Sequence, residues 1–580
     1  MPQTLVVVES PVKAEKIQEF LGNKYKVMAS MGHITDLGKG GANNTGIDVL
    51  NDFKPRYVLL ADKVKTFASI LEQASKSKLV LIASDGDREG EAIAWHLSSR
   101  LAGISAPIKR MVFNEIKKIT ILSAVQNVRE IDMNLFESQE TRRLLDRLVG
   151  FLASPFLMNV MNSNLSAGRV QSVVTRMIVD RESDIAKFNP EDFWTISAKV
   201  NNGKEDFTIK YSGKLSTQKD ADYVKNNSKN GFIVSSVERK PEKVTPPPPL
   251  VTSTLQRIMS KQFGISADRT MKAAQSLYEL GYCTYIRTDS VRCSEEALAE
   301  VRDYIKNNYS VPKTPNVFKN KNSAQNAHEC IRPSDLSLKP DNSFILTDND
   351  QQKVYEMIWK YFVASQMNPA TYDTLKITCK SNADNKILFK AFGKVLSSKG
   401  FFDVLGTNDN SKIDIPNLNV GDVLSVKNID SQKKQTQPPP RYSEDKLIKE
   451  LENKNIGRPA TYAELLSKIS VRNYVEKRGS VFYPTELGKQ VTEKLEKYFS
   501  FMNYDYTAEL ELKLDKIESG ELNKIKVLSE FFKEFQSQLK LAYTDNDVEL
   551  CSKCGSAMVT KTNRKTQEQF VSCSNYKQCI

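Results

Sequence analysis

The chain has 580 residues, 83 of them basic and 70 acidic, and its net charge of +13 favours a polyanionic partner, although charge alone also fits a generic basic protein. An apolar content of 40%, no apolar run of membrane-spanning length and an N-terminus without a signal peptide predict a cytoplasmic protein with no membrane contact. The length predicts about three to five domains, because a single core rarely grows so large.

Two buried strands predict the first chemical cluster. Leu5–Val8 has the composition of a buried strand that ends at Glu9, and the helix after it carries Lys13 in its first turn, where a phosphate can bind. A second strand, Lys78–Ala83, runs into three alternating carboxylates: Asp85, Asp87 and Glu89. Carboxylates at the carboxyl end of a strand in an α/β sheet are typical of a Mg²⁺ site. The alternative is a solvated acidic loop.

These residues and their flanking runs resemble a known domain. Glu9 followed by D-x-D-x-E resembles the toprim domain, which type IA and type II topoisomerases, primases of the DnaG type and some nucleases share. The runs V-E-S-P-V-K-A-E-K-I, G-H-I-T-D-L and D-R-E-G-E-A-I-A-W-H-L resemble the type IA branch. The resemblance implies a toprim domain over residues 1–140, with a short excursion near 37–55, and DNA contacts by His33 and Arg110. It also implies a Mg²⁺ ligand set: Glu9, Asp85, Asp87 and Glu89.

A basic helical segment is predicted over residues 141–186. Val170, Val173 and Val174 have helical spacing and predict a helix that starts after Gly168 and packs against a core. Arginines on its other face could bind DNA phosphates or simply be solvated. The runs L-D-R-L-V-G and L-S-A-G-R-V-Q-S-V resemble type IA segments that line a single-strand groove. The resemblance implies DNA contacts by Asp146, Arg147, Arg169, Gln171 and Ser172.

Two groups of strands flank a helical region. The predicted strands are Phe193–Val200, Phe207–Tyr211, Gly231–Val237, Thr374–Cys379, Ile387–Ala391 and Val423–Ile429. Proline runs at 246–249 and 438–440 mark the outer borders. The simplest organisation is one β domain, residues 187–245 and 369–436, that the chain crosses twice, with a helical domain, 246–368, inserted at its tip. The resemblance implies the same arrangement, which type IA enzymes use as an arch.

A candidate nucleophile lies in that insert, in the stretch L-G-Y-C-T-Y-I-R-T-D-S. A helix is predicted to stop at Gly281, and Tyr282–Ile286 has strand composition. On an extended segment Tyr285 and Arg287 would project from one face and could meet on one phosphate. Alone, the pattern also fits a half-buried tyrosine beside a solvated arginine. Tyr282 competes as nucleophile, but only Tyr285 directly precedes I-R-T-D-S.

The resemblance implies roles for the residues around this tyrosine. The run A-H-E-C-I-R-P resembles a family run near the nucleophile, which makes His328 a phosphate contact rather than a structural histidine. Tyr285 would attack a phosphodiester of single-stranded DNA and form a 5′-phosphotyrosine. Arg287, Lys13 and His328 would stabilise the phosphate charge, and Glu9 would give a proton to the leaving oxygen. Further implied DNA contacts are Asp289, Ser290, Glu329 and Arg332.

The last part of the chain carries two further motifs. N-I-G-R-P-A-T-Y-A-E-L-L resembles a winged-helix segment that touches DNA, here through Arg458, and a base domain is predicted from residues 141–186 and 437–545. Four cysteines predict one tetrahedral Zn²⁺ site in a finger over residues 546–580: Cys551, Cys554, Cys573 and Cys579. The alternative is a stub that no longer folds, because the sequence stops directly after the fourth cysteine.

These motifs together predict a multidomain protein of α/β plus α+β class. It would contain a Rossmann-like toprim domain, helical winged-helix-like domains, a β arch that closes a toroid, and a zinc-ribbon-like finger. The resemblance implies a monomeric type IA DNA topoisomerase of the bacterial topoisomerase I branch, which relaxes negatively supercoiled DNA with Mg²⁺. ATP is not expected, because no G-x-x-x-x-G-K-[ST] run is present. The alternatives are a decatenating topoisomerase III and, more distantly, a toprim nuclease or primase or a non-catalytic DNA-binding scaffold.

Overall fold

The computed structural model describes residues 3–40, 44–320, 328–341, 344, 346–407, 409, 415–553, 557–562 and 566–573. Two of the four predicted zinc ligands, Cys554 and Cys579, lie outside these residues. Within the described part of the chain, no three His, Cys, Asp or Glu side chains are already gathered as a preformed metal site. The finger and its Zn²⁺ therefore stay predictions.

A parallel four-stranded sheet forms the N-terminal part of the chain. The elements of this part of the chain are β1 Thr4–Val8, α1 Pro11–Leu21, β2 Tyr25–Ala29, β3 Thr35–Leu37, β4 Ile47–Asp48, β5 Lys54–Pro55, β6 Tyr57–Leu59, α2 Val64–Ser75, β7 Leu79–Ile82, α3 Arg88–Arg100, β8 Ile108–Arg110 and α4 Lys118–Gln126. The strand order is β2-β1-β7-β8, and the neighbours are parallel. Because β1 and β7 are adjacent and parallel, the residues that follow them, Glu9 and Asp85, meet at one edge.

The continuous apolar runs of β1 and β7 explain why both strands were predicted correctly. Every residue of β1 is buried, as is expected when helices cover both faces of a parallel sheet. The small strands β3 to β6 form two separate two-stranded ribbons between β2 and α2. This is the region in which the sequence predicted an excursion from the sheet.

A closed antiparallel barrel carries the helical insert between two of its strands. Two helices, α5 Met133–Met161 and α6 Arg169–Lys187, precede the barrel in the chain. The elements that follow are β9 Asp192–Asn201, β10 Asp206–Tyr211, α7 Gln218–Asn227, β11 Phe232–Val244, α8 Thr252–Phe263, α9 Ala267–Glu279, α10 Glu295–Asn308, α11 Asn349–Ser365, β12 Ala370–Ser381, β13 Leu388–Ser398, α12 Phe402–Leu405 and β14 Val423–Gln435. The barrel order is β10-β13-β12-β11-β14-β9. Strands β11 and β12 pair along their length, so the helices between them leave and rejoin one β unit, as predicted.

Helices from both halves of the chain form the base. The last elements are α13 Glu444–Asn453, α14 Tyr462–Val471, β15 Val475–Arg478, β16 Val481–Pro484, α15 Glu486–Glu496, α16 Tyr504–Glu518, α17 Lys524–Thr544, β17 Met558–Thr562 and β18 Gln569–Cys573. One apolar core joins α5 to α16 and α17, and another joins α6 to α13, α14 and the β15–β16 hairpin. The second core has the helix and hairpin content of the predicted winged-helix-like unit.

Helix α5 is longer and more apolar than the sequence analysis expected. By length and composition it could cross a membrane, but half of its apolar window is buried in the protein. It packs against α3, α16 and α17, and its first half carries the buried carboxylate of Glu140. We therefore interpret α5 as the central helix of the base.

Candidate active site

A close backbone approach joins the helical insert to the parallel sheet. Helix α9 ends at Glu279, and Gly281 follows with a φ of +80°. A Cβ at this position would lie 2.7 Å from the carbonyl oxygen of Ile116, which follows β8. Glycine is therefore required both by the left-handed backbone and by the space, and it brings the segment after α9 onto the sheet domain.

The prediction of a strand at Tyr282–Ile286 was wrong. Only an isolated bridge, between Cys283 and Pro333, forms in this segment. The backbone amides bind scattered partners instead of one neighbouring strand, and the amide of Tyr285 donates to the carbonyl of Asn114 at 2.8 Å. The predicted nucleophile is thus attached by its own backbone to the loop that follows β8.

Tyr285 and Arg287 nevertheless lie beside the same carboxylate. The Tyr285 phenol donates to Asp87 Oδ2 at 2.5 Å, and Arg287 Nη1 lies 3.8 Å from that oxygen. Tyr285 is 6% exposed, whereas the Arg287 side chain is 37% exposed. Burial, and then the charge of Asp87, raise the pKa of the phenol well above its usual 10. The phenol therefore stays protonated at neutral pH until a base such as Asp87 accepts its proton.

Lys13 lies between two carboxylates and away from solvent. Its Nζ is 3.1 Å from Glu9 and 2.6 Å from Asp85, and its side chain is fully buried. Burial opposes the protonated form, but Asp85 and Glu9 together raise the pKa of Lys13. Burial is also the main reason why the pKa of Asp85 is raised to about 6. Lys13 thus neutralises the acidic cluster, and it is not exposed to a phosphate in this arrangement.

Sequence reasoning missed the role of a second tyrosine, Tyr278. Its phenol donates to Asp85 Oδ1 at 3.1 Å, and its ring lies edge-on to that of Tyr285, with 5.4 Å between centroids. In the sequence, the helical spacing of Ala274, Leu277 and Tyr278 indicates only that Tyr278 faces a core. Two tyrosines of the insert therefore bind the two aspartates that follow β7.

The four predicted Mg²⁺ ligands are not all together. Glu9, Asp85 and Asp87 are neighbours, but Glu89 is directed to His33, whose Nε2 is 3.3 Å away, and to Gln139 at 3.1 Å. Burial alone would raise the pKa of Glu89, but the hydrogen bond and charge of His33 lower it to about 2. The departure has a geometric cause, because Glu89 lies in the first turn of α3 and points toward the helical base.

The predicted A-H-E-C-I-R-P run lies beside Tyr285, but its residues His328, Glu329 and Arg332 make different kinds of contact. The His328 ring is 6.1 Å from that of Tyr285, and its Nε2 is 3.1 Å from the carbonyl oxygen of Gly86. His328 Nδ1 is buried and has no hydrogen-bond partner in the described part of the chain. A buried nitrogen without a partner is costly, which favours a bound ligand at this position.

Glu329 and Arg332 do not face a groove, and their prediction as DNA contacts is corrected. Arg332 is 5% exposed and pairs with Glu329 at 3.1 Å and with Glu115 at 3.2 Å. These ion pairs neutralise the charge of the guanidinium inside the protein. The pairing with Glu115 connects the insert to the loop after β8.

Comparisons with known proteins identify the family. A family model described as DNA topoisomerase matches residues 130–529, and a Toprim domain model matches residues 4–116. The solved structure of full-length topoisomerase I from Thermotoga maritima, in a monoclinic crystal form, is 34% identical with a TM-score of 0.82, over 98% of this chain and 96% of that chain. The chain belongs to the type IA DNA topoisomerases. It is an isomerase of DNA, it resembles bacterial topoisomerase I, and it has the multidomain toroidal fold of that family.

A groove of about 920 Å³ leads from the active site of this topoisomerase along the helical base. Its lining includes nine residues that the sequence singled out: Glu9, His33, Asp87, Glu89, Asp146, Arg147, Arg169, Gln171 and Arg287. Arg142, Arg143 and Arg472 also line it and were not predicted as DNA contacts. Their helix-surface positions on α5 and after α14 are the only sequence signal that could have indicated them.

Arg110 was wrongly predicted as a DNA contact of the topoisomerase. It is fully buried, and its Nε donates to Glu91 at 3.0 Å. Its Nη atoms donate to the carbonyl oxygens of Ile82, Met111 and Asp85 at 3.0, 2.6 and 2.6 Å. Arg110 is therefore directed into the protein, where it supports the turn that presents Asp85, and it is not among the residues that line the groove.

Several other predicted contacts support the groove wall from within. Arg169 is 1% exposed and lies 3.1 Å from Asp146 and 2.7 Å from Glu511. Arg458 pairs with Asp515 at 2.6 Å. Ser172 and Ser290 are buried, Asp289 is half-buried, and Arg147 donates to backbone carbonyls: Thr45 and Leu37 at 3.1 Å each.

An acidic stripe on α16 was not predicted from the sequence. Glu511, Asp515 and Glu518 follow the i, i+4, i+7 spacing of one helix face. They bind arginines from three separate parts of the topoisomerase: Arg169 of α6, Arg458 before α14, and Arg88 at the start of α3. The stripe thereby holds the turn after β7 against the base, and its periodicity was readable from the sequence.

Proposed function

We propose that this topoisomerase relaxes negatively supercoiled DNA without ATP, by transient cleavage of one strand through Tyr285. The observation that supports it most is the contact of the Tyr285 phenol with Asp87, next to an arginine that opens into the groove. Together they provide an oxygen nucleophile, an acceptor for its proton and a positive charge for the phosphate.

The first step would use Asp87 and Arg287. A backbone phosphate of single-stranded DNA enters from the groove and approaches the phenol, which keeps its hydrogen bond with Asp87. Asp87 accepts the phenolic proton while the phenol oxygen attacks phosphorus, and the bond from phosphorus to the 3′ oxygen breaks. Arg287, already 3.8 Å from Asp87, stabilises the charge on the phosphate oxygens. The products are a 5′-phosphotyrosine and a free 3′ end.

The leaving 3′ oxygen would take its proton from the buried Lys13, with Glu9, which lines the groove, as the relay between them. Burial alone would raise the pKa of Glu9, but Lys13 and Asp85 lower it below its ordinary value. The proton of the pair therefore resides on the Lys13 ammonium at neutral pH, and Glu9 holds that ammonium in place. This differs from the sequence-based prediction, in which Glu9 itself donates.

Glu9, Asp85 and Asp87 would hold Mg²⁺. Carboxylate oxygens are the donors that Mg²⁺ prefers, and the buried Lys13 ammonium already stands as a cation between Glu9 and Asp85. When bound, Mg²⁺ would supply positive charge that aligns the broken phosphate and the 3′ end for religation. Glu89, which contacts His33, would instead belong to the groove wall.

Two single substitutions test the nucleophile. Tyr285→Phe should abolish both relaxation and the covalent adduct on a labelled oligonucleotide trapped under denaturing conditions, while oligonucleotide binding stays near wild type. Tyr282→Phe is the matched control, because Tyr282 packs against Phe344 and Tyr355 and touches none of the acidic cluster. An adduct in Tyr285→Phe, or one that maps to Tyr282, contradicts the assignment.

The choice between relaxation and decatenation needs a direct comparison. We propose relaxation because the solved topoisomerase I structure matches this chain nearly end to end. The measurement is the initial rate on negatively supercoiled plasmid and on linked single-strand-gapped circles, at equal enzyme concentration and without ATP. A faster rate on the linked circles would favour a topoisomerase III activity. Gel filtration at the same concentrations tests whether the protein is a monomer.

A further inference from the structure

Two cysteines lie in contact next to the catalytic segment. Cys293 Sγ and Cys330 Sγ are 3.3 Å apart, although they are 37 residues apart in sequence. Cys330 is fully buried, and Cys293 is half-buried two residues before α10. A disulfide bond is about 2.05 Å long, so the sulfurs need to approach by only about 1.3 Å to form one.

Backbone contacts hold both cysteines in this position. The amide of Cys330 donates to the carbonyl of Arg292, the residue before Cys293, at 2.8 Å. The hydroxyl of Thr284 donates to the carbonyl of Cys330 at 2.8 Å, and Thr284 directly precedes Tyr285. His328, whose ring faces Tyr285, is two residues before Cys330. A shift of Cys330 is therefore transmitted to Tyr285 through two residues, Thr284 and His328.

We propose that Cys293 and Cys330 are a redox modification site, at which a peroxide forms a reversible disulfide that slows DNA cleavage. The half-buried Cys293 reacts first, because a peroxide can reach it. Its thiolate sulfur bonds to one peroxide oxygen, the O–O bond breaks, and a sulfenic acid and one water form. The Cys330 sulfur then attacks the sulfenic sulfur, the S–O bond breaks, and the Cys330 proton passes to the departing hydroxide, so that a second water leaves. In total, two thiols lose two electrons and two protons, and the peroxide is reduced to two waters.

The order of the two steps follows from the surroundings of the sulfurs. Cys330 is fully buried and out of reach of an external oxidant, but its sulfur lies 3.3 Å from that of Cys293, so it serves as the resolving thiol. Closing the disulfide fixes the segment around Arg292 to the segment around Cys330. The bond would displace His328 and Thr284 by a fraction of the distance that the sulfurs travel, and displacements of about 1 Å can slow an enzyme by up to 10²-fold.

The test uses the full chain and two readouts. After treatment with a small excess of hydrogen peroxide and alkylation, peptide mass spectrometry should find a Cys293–Cys330 linked peptide that dithiothreitol removes. Single-turnover cleavage of an oligonucleotide should fall about tenfold and recover with dithiothreitol. The cleavage readout rests on the proposed function, but the linked peptide does not. A failure of the proposed function can therefore be distinguished from a failure of the disulfide proposal.

Three variants sharpen the result. Cys330→Ala and Cys293→Ser should both keep wild-type cleavage after peroxide, and the second changes only a half-buried position if the first folds poorly. Cys551→Ser, in the predicted finger, should stay as sensitive as wild type. Absence of the linked peptide overturns the site. A linked peptide with undiminished cleavage, or peroxide sensitivity that survives in both cysteine variants, overturns the switch.

Discussion

Arg110→Met decides whether a buried arginine supports the sheet or contacts DNA. Four hydrogen bonds join the guanidinium to Glu91 and to the carbonyls of Ile82, Met111 and Asp85. Methionine has a similar length and can fill the space, but it donates none of these bonds. The change therefore removes the polar interactions with little loss of volume.

The expected loss can be worked from the groups left behind. Removing one partner of a buried ion pair commonly costs about 3–5 kcal/mol, because the other charge stays buried. Here Glu91 keeps Arg129 Nη1 at 2.8 Å and the amide of Asp132 at 2.7 Å. The carbonyl of Ile82 also keeps its bond from the Met111 amide. We therefore expect the lower end, about 3 kcal/mol of local stability.

Hydrogen exchange measures this loss without assuming a two-state transition of the whole chain. In peptides that contain Leu79–Ile82, exchange of the strand amides should be faster by about 10²-fold. The salt dependence of oligonucleotide affinity should keep its slope, because Arg110 touches no phosphate. Arg143→Met is the control: this arginine is 44% exposed in the groove, and its loss should reduce the slope by about 0.7 without faster exchange. Wild-type exchange with a shallower slope for Arg110→Met would refute the structural role.

Three further predictions address the site, its pH dependence and the tail. Tyr278→Phe removes the donor to Asp85 but keeps the ring, so oligonucleotide cleavage should fall about tenfold with unchanged binding; undiminished cleavage would show that this bond is dispensable. Burial lowers the pKa of His96 from 6.5 to about 4, so the folded state binds fewer protons than the unfolded state between these values, and stability should fall by about 3 kcal/mol as the pH drops from 7 to 4. Urea unfolding of His96→Gln should show a flatter pH profile, and a parallel profile would contradict the assignment. Deletion of residues 546–580 should spare oligonucleotide cleavage and weaken plasmid relaxation, and metal analysis should find near-stoichiometric zinc that Cys551→Ser removes; zinc-free protein with full relaxation would mean that the tail is dispensable.

The parts of the fold with strong local patterns could be predicted from the sequence. The apolar run of β1 and the run before Asp85 have few ways to be buried except as central strands of a parallel sheet. The adjacency of those strands then brings Glu9 and Asp85 together. The six barrel strands could also be predicted, because each shows apolar and polar residues with strand-like spacing.

The assignment of arginines could not be predicted in the same way. An arginine that follows a strand has the same local sequence whether it faces DNA or a buried carboxylate. The partner of Arg110 is Glu91, 19 residues earlier on α3, and that of Arg169 is Glu511, more than 300 residues later on α16. Whether such an arginine is buried depends on contacts with residues far away in the sequence. Local charge and periodicity do not reveal these contacts.

The contacts across the active site couple its chemistry to the opening of the toroid. Tyr285 binds Asp87 and Tyr278 binds Asp85, so the hydrogen bonds that join the insert to the sheet are made by the residues of the proposed reaction. One apolar core also spans this boundary and contains Val6 of β1 as well as Tyr285. The insert cannot leave the sheet while the phenol is bound to Asp87. Once Tyr285 carries a phosphate, that bond is lost, and separation is resisted by the remaining contacts: the apolar core, the bond of Tyr278 to Asp85 and the pair of Arg332 with Glu115. Cleavage itself thus removes a hydrogen bond that holds the two parts of the protein together.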